Sequence, residues 1–341
     1  MTRPLQTRVR FAPSPTGSLH VGNALSAVAN RALGDVLLLR IDDTDPARNV
    51  VGGEQAIEED LRWLGVEWDE GPVRQSERVD RHLEAWRGAG LPERFQGVQL
   101  VRGDGTPTYQ LASVVDDIDF AITHVLRGSD HRPNEELQRA LHAALGHEPP
   151  LYLYIGLVLG PDGRKLSKRR HGATVASLRE AGYPAEAVRA YLEELDRPRH
   201  DVHLDLARIG SLSVDTLAAL SDEELAARAG IPVEAAPLAR GAHDLVEARA
   251  LARQVLDEPA RDVPLPDGAD LTLARFVELR PGWPERLDQE GARAILRELK
   301  AVGGNLRALR VALTGRDHGP ELWAVLAALP GDEAVRRAQL R

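Results

Sequence analysis

Residues 10–23 read Arg-Phe-Ala-Pro-Ser-Pro-Thr-Gly-Ser-Leu-His-Val-Gly-Asn, and their types and spacing suit a phosphate. His20 and Asn23 stand three apart, on one face of the first turn of a helix that begins near His20. Free backbone N–H groups and the helix dipole favour an anion at such a place. Gly22 removes the side chain that would hold a base or a phosphate at a distance. An imidazole and an amide so placed donate hydrogen bonds to a phosphate whose charge grows in a transition state. On spacing alone, a Pro-stiffened loop with a surface histidine reads equally well. Residues 160–170, Gly-Pro-Asp-Gly-Arg-Lys-Leu-Ser-Lys-Arg-Arg, set a tight turn before a run of cations and a serine. Of 43 basic residues only Lys165, Lys168 and Lys300 are lysines, and two of these three lie in this stretch. A compact, mobile ammonium suits the clamping of a polyphosphate leaving group. A solvated charged loop is the competing reading.

Positioning these groups takes strands that end where the motifs begin. Residues 9–12 read as a strand ended by Pro13, 20–32 as a helix rich in small residues, and 36–41 as a buried strand. Residues 54–64 read as an amphipathic helix closed by Gly65. Further on, 109–112 and 124–127 read as strands, 135–145 as a helix, and 152–159 as a strand. Strands alternating with helices of about ten residues predict an α/β fold with a doubly wound parallel sheet. From about Ala173 the β signal fades. Residues 221–224 form a capping-box start for a helix that Gly230 ends, and Pro320 opens one that Pro330-Gly331 closes. The second half is therefore predicted to be all-α, with Pro-rich joints at 258–267 and 280–284.

The chain has 341 residues, 43% apolar and 28% charged, which suits two domains with real cores and excludes a disordered or collagen-like chain. The longest aliphatic run of the first half, residues 36–39, falls far short of the ~20 residues that span a bilayer. No signal peptide is visible at the start. Zero cysteines exclude disulfides, thiolate zinc and a cysteine nucleophile, and fit a reducing, cytoplasmic setting. With a net charge of −9, any nucleic-acid contact must use a local patch.

Taken together, Pro-Ser-Pro-Thr-Gly-Ser-Leu-His-Val-Gly-Asn at 13–23 and Lys-Leu-Ser-Lys-Arg at 165–169 resemble the two signature motifs of the class I aminoacyl-tRNA synthetases, in the spelling of the glutamyl branch. The resemblance continues through Leu-Arg-Ile-Asp-Asp-Thr-Asp at 39–45, residues 63–72, Thr-Pro-Thr-Tyr at 106–109 and Val-Asp-Asp at 115–117. It extends to residues 122–128 and to Leu-Arg-Val-Ala-Leu-Thr-Gly at 309–315, so nearly the whole chain is covered. It implies a Rossmann-like catalytic domain over 1–195, with a minimal insert near 86–99, and a helical, anticodon-binding-like domain over 196–341. The implied activity is that of an ATP-dependent ligase. Glutamate and ATP give glutamyl-adenylate and pyrophosphate, and the glutamyl group passes to tRNA.

Carried over residue by residue, the resemblance gives His20, Asn23, Lys165 and Lys168 the catalytic roles. ATP, entering as its magnesium complex, is expected on Thr16, Gly17, His20, Gly22, Asn23, Lys165, Ser167 and Lys168. Glutamate is expected on Arg10, Ala12, Ser14, Asp42, Tyr109 and Arg127. Arg10 matches the residue that pairs with the side-chain carboxylate, a natural task for a bidentate guanidinium. Asp42 matches the carboxylate that reads the α-amino group. No separate nucleophile or general base is needed, because the substrate carboxylate attacks directly. No protein-bound metal and no structural zinc are expected.

The departures from the family pattern concern delivery of the product. A full glutamyl enzyme inserts roughly a hundred residues, a small domain's worth, between the halves of the catalytic fold. That insert grips the acceptor end of tRNA and in some members carries zinc; here only residues 86–99 separate the halves. Asn23 replaces a second histidine found in many relatives, Asp42 a more usual Glu, and Tyr154 a frequent His. A tRNA partner is expected through the helical part, and no membrane. Two other readings stay open: a paralogue that hands glutamate to an amine, a carrier protein or a modified nucleotide, and a non-catalytic RNA-binding relative.

Overall fold

The computed structural model describes residues 6–166 and 173–340. The chain divides into two compact units, Met1–Glu180 with Ala185–Ile209, and Ala181–Pro184 with Gly210–Arg341.

Parallel strands organise the first unit. β1 (Arg8–Phe11), β2 (Val36–Ile41) and β3 (Glu70–Arg74) pair in that order, with α1 (Val21–Leu33) and α2 (Gly53–Trp63) as the crossovers. After α3 (Val79–Gly88) comes a short antiparallel hairpin of β4 (Arg94–Phe95) and β5 (Val98–Gln99). Then follow α4 (Tyr109–Asp119), β6 (His124–Gly128), α5 (Glu135–Ala144) and β7 (Leu151–Ile155). β7 pairs parallel with β6, and the Thr123 N–H donates to the Arg8 carbonyl at 2.9 Å, laying this pair beside β1. Earlier strands thus lie on one side of β1 and later strands on the other, the doubly wound arrangement predicted.

The strands read as near-continuous apolar runs because both faces are covered. Val9, Phe11, Leu37, Leu38, Leu39 and Ile41 are buried, as are Ala24, Leu25, Ala27 and Val28 of α1. Each buried aliphatic side chain of this size contributes about 1.5–3 kcal/mol relative to exposure. The buried Asn30 side chain donates to the Leu126 carbonyl at 3.2 Å, tying α1 to β6.

Two predicted strands are corrected. Residues 109–112 open helix α4 instead, because the apolar spacing that governs them is the longer one of Leu111, Val114 and Val115, all buried. Residues 152–159 form two strands, β7 and β8 (Val158–Leu159), separated at Gly156. A Cβ there would stand 1.9 Å from the His200 carbonyl oxygen. Then follow α6 (Val175–Glu180), α7 (Ala185–Leu195) and β9 (Val202–His203), with β9 pairing parallel to β8.

Helix α8 (Leu206–Ala219) follows β9, and the second unit is helical as predicted. Its helices are α9 (Asp222–Ala229), α10 (Leu245–Leu256), α11 (Ala269–Leu279), α12 (Gln289–Ala301), α13 (Leu306–Thr314), α14 (Leu322–Ala328) and α15 (Gly331–Gln339). Ser221 and Glu224 make the reciprocal capping box, and Gly230 ends α9 at φ 67°. Asp244, Asp288 and Asn305 cap α10, α12 and α13, each cap worth about 1 kcal/mol. Leu273, Phe276, Ile295, Leu299, Leu309, Leu313 and Val325 share one core. Among the described residues no helix is long and apolar enough to cross a membrane.

Candidate active site

In an open α/β sheet, ligands bind beyond the carboxyl ends of the strands where the strand order reverses. A cleft of about 730 Å³ lies there, walled by residues 10–14 from the end of β1 onward, Asp42, Thr44 and Asp45 after β2, Leu126–Gly128 of β6, and 155–158 from the end of β7 to the start of β8. The structure brings Arg10, Ala12, Ser14, Thr16, His20, Gly22, Asn23, Asp42, Tyr109, Arg127 and Lys165 to its walls. Gly17 sits behind them at φ 92°, against the start of α2. A Cβ on Gly53 would stand 3.1 Å from the Gly17 nitrogen and 2.3 Å from the Pro15 carbonyl oxygen. Ser167 and Lys168 lie outside the described residues.

At one end of the cleft is the tip of α1. His20 is its N-cap, and His20 Nδ1 accepts the Asn23 N–H at 3.2 Å. In the neutral ring this assigns the proton to Nε2, which makes that nitrogen a donor. Gly22 keeps the site open, since a Cβ there would lie 3.2 Å from His20 Nδ1 and 3.7 Å from Val158 Cβ. The loop before the helix is held from α2. Ser18 Oγ and the Leu19 N–H both donate to Asp60 Oδ2 at 2.7 Å, and Asp60 is 1% exposed. Val21 donates its N–H to the Ala173 carbonyl and Leu166 to the Val158 carbonyl, each at 3.2 Å. The residues flanking 167–172 are therefore both tied to the cleft.

Lys165 is half-exposed and ion-paired with Asp130, and both line the cleft. Burial pushes the Asp130 carboxyl up, but the Lys165 ammonium and the neighbouring His131 outweigh it and hold it below the usual carboxylate range. Burial holds His131 below the ordinary histidine value, against the pull of Asp130.

The other end is built of buried charges. Arg40 of β2 is wholly buried, and its Nε and Nη2 grip Asp42 Oδ1 and Oδ2 at 2.7 and 3.3 Å. Its Nη1 donates to Asp117 Oδ1 at 2.8 Å, and the same oxygen accepts from Arg10 Nε at 3.3 Å. Burial raises the Asp42 carboxyl above its ordinary value, against the pull of Arg40. The Asp42 N–H donates to the Pro13 carbonyl at 3.0 Å, holding the two-proline turn against the end of β2. Nearby, Arg127 donates to Gln138 Oε1 at 2.8 Å and to the Tyr154 hydroxyl at 3.2 Å, and its guanidinium lies 5.0 Å from the Tyr152 ring. Tyr154 in turn donates to Glu135 at 2.8 Å.

Arg40, Asp60, Asp117, Asp130 and His131 have no assigned role in the sequence reading. Two of them carry a legible signal. Arg40 interrupts the apolar run of a buried strand, and Asp60 falls in the buried stripe of Ile57, Leu61 and Leu64. A charge in such a phase must have a partner. Nothing in the sequence says which one.

The chain matches the family described as tRNA synthetases class I (E and Q), catalytic domain, over residues 6–87 and 92–227. It is 37% identical to glutamate–tRNA ligase 1 of Rubrobacter xylanophilus, with 97% of each chain covered. Against glutamate–tRNA ligase 2 of Rhodospirillum centenum the identity is 33%, covering 88% of this chain and 84% of that one. The first alignment runs over 422 positions against 341 residues here, so that relative carries residues this chain lacks. The fold is shared with a crystal structure of a glutamate tRNA ligase from Elizabethkingia meningosepticum in complex with its amino acid. The TM-score is 0.76 at 21% identity, with 98% of each chain covered.

Proposed function

The chain belongs to the class I tRNA synthetases of the glutamyl and glutaminyl branch, as a glutamate–tRNA ligase-like, ATP-dependent enzyme, and from that premise we propose how its cleft works. An oxygen of the glutamate α-carboxylate attacks the α-phosphorus of ATP. The acyl–phosphate bond forms as the bond to the bridging oxygen breaks, and pyrophosphate leaves with the electron pair. No proton has to move, so the protein's task is to position the reactants and stabilise charge.

Asp42 takes the α-ammonium, Arg10 takes the side-chain carboxylate, and Ala12, Ser14, Tyr109 and Arg127 complete the amino-acid end. His20 Nε2 and Asn23 donate to the α-phosphate oxygens as their charge grows. Thr16, Gly17 and Gly22 border the nucleotide. Lys165 exchanges Asp130 for the polyphosphate tail, joined by Lys168 and Ser167, and magnesium arrives bound to ATP. The terminal ribose hydroxyl of tRNA then attacks the acyl carbon, the acyl–phosphate bond breaks, and AMP leaves with the hydroxyl proton on its phosphate. The observation that carries this reading is the meeting in one cleft of a histidine-capped helix tip, a lysine, Arg10 and an Asp42 clamped from behind by Arg40.

We keep residues 1–195 for catalysis and 196–341 for tRNA, and place the enzyme in the cytoplasm with its substrates. Arg293, Arg297 and Lys300 recur at i, i+4 and i+7 along α12 and are exposed. None of them pairs with a carboxylate among the described residues, and the Arg293 guanidinium lies 5.4 Å from the Trp323 ring. Cations interleaved with an aromatic ring suit an RNA backbone and its bases.

Glutamate-dependent ATP–pyrophosphate exchange tests the first step, measured with and without tRNA, and Lys168→Ala is expected to abolish it. Charging of tRNA with labelled glutamate tests the second. The 422-position alignment to a relative longer than this chain, with the missing residues read as the insert reduced here to 86–99, favours one alternative enough to keep it in view. Exchange without tRNA, with label on an amine, a carrier protein or a modified nucleotide, would assign that acceptor instead.

A further inference from the structure

Between the two groups that would read the ends of glutamate runs a continuous buried bridge. Asp42 is 7% exposed, Arg40 0%, Asp117 4% and Arg10 5%. Arg40 touches both carboxylates with one rigid fork, and Asp117 touches both guanidiniums with one oxygen. We propose that Arg40 and Asp117 are positioning residues that fix the separation between Asp42 and Arg10, and so set the length of amino acid the cleft accepts. This rests on the roles proposed above for Asp42 and Arg10.

Three features give the bridge its stiffness. Arg40 lies near the end of β2 and Asp42 directly after that strand, two positions on, so the fork closes on Asp42 over a short local span of chain. Asp117 is carried by α4, and its neighbour Asp116 pins the same turn. Asp116 accepts from Gln75 Nε2 at 2.9 Å, Arg78 Nε at 2.8 Å and His82 Nε2 at 2.7 Å. Arg10 has its Nε committed to Asp117, which fixes the rotation of a guanidinium that lines the cleft. A lysine at position 40 would offer one nitrogen and no fork, so it could not hold both carboxylates in this geometry.

A fixed spacing discriminates by length. Aspartate is one methylene shorter than glutamate and cannot satisfy Asp42 and Arg10 together, which leaves a desolvated charge unpaired. Loosening the bridge costs glutamate its fit and gives aspartate a less hostile site. A merely structural role for Arg40 would instead reduce the folded fraction and leave the ligand preference of the folded molecules alone.

The test is calorimetric titration of L-glutamate, L-aspartate and ATP into the full chain, for wild type, Arg40→Lys and Asp117→Asn. We expect both variants to bind glutamate on the order of tenfold more weakly and ATP within about twofold of wild type, with the glutamate-over-aspartate ratio narrowed. Should Arg40→Lys fail to fold, the isosteric Asp117→Asn decides alone. Unchanged glutamate affinity, or equal weakening of glutamate and ATP, overturns the proposal. Binding does not depend on turnover, so the two readings fail separately. Wild type that binds glutamate but shows no exchange sinks the activation reading and leaves this one standing on the variants' affinities. Wild type that does not bind glutamate sinks both.

Discussion

The two ends of the cleft solve opposite electrostatic problems. At the end proposed for the amino acid, Arg10, Arg40, Asp42 and Asp117 are almost wholly removed from water and already paired with one another. At the end proposed for the nucleotide, the charge that would meet polyphosphate is a half-exposed Lys165 held by a partly exposed Asp130. Selecting a small amino acid by length needs groups that do not move, and burial with full pairing provides them. On the proposed roles, a polyphosphate tail would bring so much charge that the site can wait in solvent and exchange partners when the tail arrives. One end is preorganised, the other is exchangeable.

Mutations at the two ends should therefore differ in size and in which kinetic constant they move. Arg10→Gln is expected to lower kcat/KM for glutamate in pyrophosphate exchange by about a thousandfold, roughly 4 kcal/mol, with the ATP KM nearly unchanged. An equal rise in both KM values would erase the distinction. His20→Ala should act mainly on kcat, by about a hundredfold, leaving the glutamate KM close to wild type. A loss seen only in KM would remove the α-phosphate role. Lys165→Ala is expected to cost about tenfold at low salt, with the penalty shrinking as ionic strength rises. Salt independence would mean that Lys165 acts from a desolvated position.

The smallest effect concerns acid stability at the preorganised end. Burial pushes the Asp116 carboxyl up, but the His82 hydrogen bond and Arg40, together with Arg78, pull it down to about 2 from an ordinary 3.8. A folded value below the unfolded one means stability that is present above pH ~4 and lost as pH falls towards ~2, worth about 2 kcal/mol. Asp42, raised by burial, has the opposite sign and gains rather than loses on acidification. Denaturant unfolding at pH 5 and at pH 3 should show wild type losing more stability than Asp116→Asn. Parallel losses would mean that the Asp116 pairing does not govern acid unfolding.

Much of the scaffold was legible because periodicity is local. The apolar run of 36–41, the small-residue helix after His20 and the capping box at Ser221 each state their element within a few residues. Residues 109–112 misled because four residues of mixed pattern fit either period, and the choice was made by Val114, Val115 and their packing partners further along. At the site, types and spacing singled out His20, Asn23 and Lys165 by reason of their chemistry. The same reading passed over Arg40 and Asp117, whose meaning lies in each other across 77 positions of chain.

By itself, then, the sequence determined the alternation of strands and helices, the change to an all-helical second half, and a phosphate-suited segment near each end of the catalytic half. Those properties depend on neighbours within a turn or two. The tertiary structure alone decided that Asp42 is clamped by Arg40, that Asp60 anchors the loop before α1, and that Asp117 joins Arg40 to Arg10. The reason is that a buried charge must be satisfied by whatever the fold brings within about 3 Å, and that identity is written in packing, not in spacing.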